Sequence, residues 1–78
     1  MNGEEQNMTV DDTDGRLESI AARLESLSLE LNDLAMSLVS AALEDGASER
    51  PEAEKRVSRA RRTVDRAVHQ LRGGLTSD

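Results

Sequence analysis

The sequence predicts an all-α protein, an antiparallel two-helix hairpin that pairs with a second copy into a four-helix bundle. Three observations carry that expectation. Apolar residues recur at alternating spacings of three and four in two separate stretches, the repeat of helices packed side by side. A linker of about six residues joins the stretches, and short helix connections give antiparallel neighbours. The chain has 78 residues with neither cysteine nor any aromatic residue. A single hairpin therefore has no disulfide and few large side chains to offset its conformational entropy, and association with a second copy is the natural remedy.

Residues 1–12 are acidic and lack apolar periodicity, the composition of a disordered tail. Helix 1 is expected over about 14–45. Thr13 or Asp14 is placed to cap its first backbone N–H groups, and its apolar seam is Leu17, Ile20, Leu24, Leu27, Leu31, Leu34, Leu38 and Ala41. The stretch "EDGAS" ends it, Gly46 suiting the left-handed residue that follows many helices. Helix 2 is expected over about 51–72. Pro51 suits the first turn, and Glu52 and Glu54 complement the positive helix end. Its seam reads Ala53, Val57, Ala60, Val64, Ala67 and Leu71, and Gly73 and Gly74 stop it. The hairpin spans 13–74, and residues 75–78 fray.

Folding at the linker sets Leu38 opposite Val57, Leu34 opposite Ala60, Leu31 opposite Val64, Leu27 opposite Ala67 and Leu24 opposite Leu71. Large faces small in several layers, which suits close packing. Helix 1 carries further apolar residues outside this seam. Ala22, Leu29, Met36 and Leu43 recur every seven residues, with the small residues Ala21, Ser28, Ala35 and Ala42 beside them. One partner helix cannot cover so much apolar surface. An association interface is therefore expected at Leu29, Ala35, Met36, Ala42 and Leu43, taking a second copy or a helix of another protein.

Charge is segregated along the chain. The formal net charge is -6, yet segment 54–72 holds seven basic residues against two acids. Such a stripe serves most simply as a solvated face that balances acidic helix 1, braced by pairs such as Asp65 with Arg61 or Arg62. Against nucleic-acid binding stand the overall acidity, the missing aromatic rings for base stacking and the lack of a third helix for a helix-turn-helix. A compact phosphate-bearing ligand is a further reading. Glu54, Ser58, Arg61, Asp65 and His69 fall along one helix face with Arg62 beside them, and arginine pairs with phosphate or stacks on a base.

The run "EKRVSRARRTVDRAVH" resembles the cyclic-di-GMP signature of RsiG, a family of actinobacterial anti-sigma factors built as antiparallel helical hairpins. That signature spaces Glu, Ser, Arg, Gln and Asp along one helix. Glu54, Ser58 and Arg61 match it in type and spacing, whereas Asp65 stands in place of Gln and His69 in place of the final Asp. The resemblance covers sixteen residues. It implies a cyclic-di-GMP ligand and a sigma factor as partner. More loosely, the chain resembles short actinobacterial helical-hairpin proteins with a second helix of the type "ERPxxEKR…ARR". That likeness and the preference for Arg over Lys point to a bacterial source.

No catalytic constellation is present: there is no Cys, and no Ser has an evident His partner. His69 is the only histidine, and with Asp65 it makes two ligands where zinc takes three or four. No cofactor is called for. No apolar run reaches the ~20 residues of a membrane span, and the N-terminus lacks the pattern of a signal peptide, which leads to a cytoplasmic expectation. The functional expectation is a small, non-enzymatic interaction or regulatory protein acting through helix 1. A cyclic-dinucleotide-binding regulator acting through helix 2 is the alternative, and a nucleic-acid-binding accessory protein comes third.

Overall fold

The computed structural model describes residues 10–73. Most of the expected N-terminal tail, Gly74 and the expected fraying end lie outside the described residues. The described residues form two helices, α1 (Val10–Glu44) and α2 (Glu52–Leu71), packed against each other. α1 begins four residues before the expected start, so Thr13 and Asp14 sit inside the helix rather than capping it. Asp12 and Asp14 lie in its first turns, where carboxylates complement the positive end of the helix dipole. No proline intervenes to stop the helix from starting there.

α1 closes in a Schellman arrangement. The Ala47 N–H donates to the Ala42 carbonyl at 2.9 Å and the Gly46 N–H to the Leu43 carbonyl at 3.0 Å, with Gly46 at φ 85. A Cβ at Gly46 would meet nothing within 4 Å, so the glycine is required by its backbone alone. Gly46→Val is expected to cost about 1–2 kcal/mol, the strain of a left-handed L-residue. Gly15 lies inside α1 with equally open surroundings, and Gly15→Ala is expected to gain up to about 1 kcal/mol of helix propensity. Urea denaturation of the two variants checks both signs. Pro51 sits at the N-cap of α2 with φ -65 and makes no side-chain cap; its carbonyl accepts from the Glu54 and Lys55 N–H groups instead. Gly73, at φ 78, terminates α2.

The packing seam differs from the expected one. Burial on α1 follows the small residues: Ala21, Ser28 and Ala35 are buried, with Leu17, Leu24, Leu31, Leu38 and Ala42 half-buried. On α2, Glu54 and Val68 are buried, and Val57, Ser58, Arg61, Val64, Asp65 and Leu71 are half-buried. Ile20, Leu27 and Leu34, assigned to the seam from their spacing, are 40%, 49% and 47% exposed. Ala41, Ala53 and Ala60 are exposed as well. At 100° per residue, α1 is rotated about 50° from the expected orientation. The physical reason is backbone approach. The small stripe lets the helices close up, and the long side chains of α2 lie along it. Ala35, and to a lesser degree Ala42, accordingly belong to the seam between the helices rather than to a free association surface.

The molecule is one helix thick, 12 Å in its shortest dimension. Most seam residues therefore keep some solvent contact on one of two broad sides, Ala21 being fully buried. Among the described residues, Ala21, Ala35 and Val68 are the buried hydrophobic ones, and no large side chain is wholly enclosed.

Candidate functional site

Residues three and four positions after a seam residue lie on opposite sides of it. On α2, Val57, Val64 and Leu71 fall to one side of Glu54, Arg61 and Val68; Ser58, Asp65 and Arg72 fall to the other. On α1, Leu24, Leu31 and Leu38 fall to one side of Ala21, Ser28 and Ala35; Glu25, Asn32 and Val39 fall to the other. The polar sides of the two helices meet: Ser28 Oγ donates to Asp65 Oδ1 at 2.7 Å, and Arg72 binds Glu18 and Glu25. The apolar sides therefore meet on the opposite broad face. Along the seam, one broad face is thus lined by polar groups and the other by apolar ones.

On the polar face, the sequence-predicted stripe is held together by its own contacts. Glu54, only 6% exposed, accepts from Arg50 Nε at 2.6 Å and from Ser58 Oγ at 2.7 Å. A carboxylate that shielded needs such partners to remain charged. Arg61 Nη1 donates to Asp65 Oδ2 at 3.2 Å, so Asp65 accepts from both helices. His69 is exposed and borders a shallow groove with Glu25, Asp65 and Arg72. Arg62 is exposed. Of the residues expected on the association surface, Leu29, Met36 and Leu43 are 69%, 62% and 67% exposed. They project from α1 on the polar side, where the facing surface of α2 is charged. Among the described residues, no three His, Cys, Asp or Glu side chains converge as metal ligands. No described helix is long and apolar enough to cross a membrane.

Spacing alone missed the strongest tie between the helices. Arg72 donates to Glu18 through Nε at 2.9 Å and Nη2 at 2.7 Å, and to Glu25 through Nη2 at 3.1 Å. A signal was present, because Ser58, Asp65 and Arg72 recur every seven residues. Hydrogen bonds from Arg72 hold the Glu18 and Glu25 carboxyls below their ordinary value, and hydrogen bonds from Arg50 and then Ser58 do the same for Glu54. These folded values lie below the unfolded ones. Their stabilisation is thus fully present above the ordinary 4.5 and is lost as pH falls from there through the depressed values. Melting temperature is expected to drop as pH falls below about 4.5, and Arg72→Met to flatten that drop. Equal slopes for variant and wild type would assign the acid loss to other carboxyls.

The opposite face is apolar across both helices. Leu24, Leu31 and Leu38 lie half-buried against Val57, Val64 and Leu71, and Ile20, Leu27 and Leu34 continue the surface outward on α1. Ala53, Ala60 and Ala67 continue it on α2. No charged side chain interrupts these stripes. No family model, no curated protein and no solved structure matches the chain.

Proposed function

We propose that this chain is a non-enzymatic helical interaction module that self-associates through the apolar face of its hairpin, in a regulatory or adaptor role. The observation that carries the reading is the continuity of that face over both helices, left half-exposed where only three of the described hydrophobic residues are buried. Full burial of a leucine is worth about 1.5–3 kcal/mol. Six leucines and an isoleucine that retain solvent contact hold back much of that stabilisation. Covering them offsets the ordering of the helices, which costs roughly 1.5 kcal/mol per residue.

Leu29, Met36 and Leu43 make a weaker candidate surface, because they stand on one helix beside a charged neighbour. The polar stripe of α2 favours the interaction reading over a cyclic-dinucleotide sensor. Glu54, Ser58, Arg61 and Asp65 spend their hydrogen-bonding groups on one another, on Arg50 and on Ser28. A ligand at that stripe would first have to break those contacts.

Sedimentation equilibrium tests the proposal. The expected mass is twice the 8.5 kDa of one chain, falling toward the monomer on dilution. A single-chain mass at every concentration would overturn it. Native mass spectra with added cyclic-di-GMP are expected to match those without it. A fixed nucleotide stoichiometry would move the assignment to α2.

A further inference from the structure

We infer that the occupant of the apolar face is a second copy lying antiparallel, α1 on α1 and α2 on α2, about a two-fold axis crossing the face at Leu31 and Val64. This rests on the self-association reading and adds the arrangement.

The unequal lengths of the helices carry the argument. α1 has 35 residues and α2 has 20, about 52 Å against about 30 Å. Arg72, at the end of α2, already binds Glu18 and Glu25, so the first turns of α1 run beyond α2. The apolar pattern continues onto this overhang through Leu17 and Ile20, the latter 40% exposed. Two parallel two-fold hairpins, with α1 on the partner's α2, would leave both overhangs uncovered. They would also bring the acidic starts of both α1 helices, with Asp12 and Asp14, to the same end. The antiparallel arrangement lays the apolar part of each overhang, Leu17 and Ile20, against the last turns of the other α1.

Register supports it on both helices at once. With the axis at Leu31, Ile20 meets the partner's Ala41, Leu24 the partner's Leu38 and Leu27 the partner's Leu34. The intrachain register, with Ser28 on Asp65 and hence Glu30 level with Thr63, then brings Val57 near the partner's Leu71, Ala60 near the partner's Ala67 and Val64 near its own copy. Each four-helix layer combines large α1 side chains with smaller α2 ones. At the rim Arg16 approaches the partner's Glu44 and Arg23 the partner's Ser37, while Arg56 approaches the partner's Gln70. Opposite charges thus meet at the ends, and Glu30 alone faces its own copy, on the axis. The area suffices: two helices about 10 Å apart over about 30 Å present roughly 600 Å² of face before side-chain relief, near the ~800 Å² per partner of standard interfaces.

The natural absence of cysteine makes the test simple. Glu30→Cys and Thr63→Cys lie on the rim of α1 and α2, both at exposed positions, and each faces its own copy across the proposed axis. Treated with a short bis-maleimide, each variant alone is expected to give a covalent dimer in high yield. In the parallel arrangement neither would react alone, and Glu30→Cys would instead link to Thr63→Cys in a mixture. A dimeric mass with only that mixed product, or with no product, overturns the arrangement and leaves self-association standing. A monomeric mass for the unmodified protein overturns both.

Discussion

Leu27→Glu is expected to convert the protein to a monomer while leaving its hairpin helical. Leu27 is 49% exposed in the single chain, so the carboxylate reaches water there and disturbs little. Association would bury it without a partner, in two symmetric copies. A buried unpaired charge costs on the order of 3 kcal/mol or more. At about 1.4 kcal/mol per tenfold, that is roughly a hundredfold or more in dissociation constant. Met36→Glu is the contrasting variant. Met36 is 62% exposed on the polar side, and its substitution is expected to leave the mass unchanged. Sedimentation velocity, with circular dichroism to confirm folding, reads both. Dissociation by Met36→Glu with retention by Leu27→Glu would place the interface at Leu29, Met36 and Leu43.

The second large effect is expected from Ala35→Leu. In helix propensity the exchange is close to neutral. Ala35 is 6% exposed in the middle of the seam, where a leucine must push the helices apart or take a strained rotamer. Overpacking of this kind costs about 1–3 kcal/mol. For a domain this small each kcal/mol lowers the melting temperature by roughly 4–8 °C. Ala22→Leu, one residue round from buried Ala21 and exposed, is the matched control and is expected to melt near wild type. Similar melting of Ala35→Leu and Ala22→Leu would mean that the helices do not close on the small stripe.

Two helices, their order and the turn between them follow from local rules. The breaks at Gly46, Pro51 and Gly73 have backbone causes that need no tertiary partner. The apolar repeats continue over several turns. The start of α1 was harder to read, because caps at Thr13 or Asp14 compete with acidic residues that favour an earlier turn. The candidate polar stripe was legible as spacing, since Glu54, Ser58, Arg61 and Asp65 do share a face. Its use was not. Whether Asp65 faces solvent or accepts from Ser28 depends on a residue 37 positions away, and the pairing of Arg72 with Glu18 spans 54.

The rotation of α1 decided the rest. Its sequence offers apolar or small residues at almost every angle: Leu24 with Leu27, Ala21 with Ser28, and Leu29 with Met36. Periodicity therefore establishes that α1 is a packed helix without establishing which stripe meets α2. That choice depends on how closely two backbones approach and on where long polar side chains can extend. Those terms exist only once both helices are present. They favour Ala21, Ser28 and Ala35 in the seam, place Glu54 beside them under the cover of Arg50 and Ser58, and turn the larger leucines outward as a continuous apolar face.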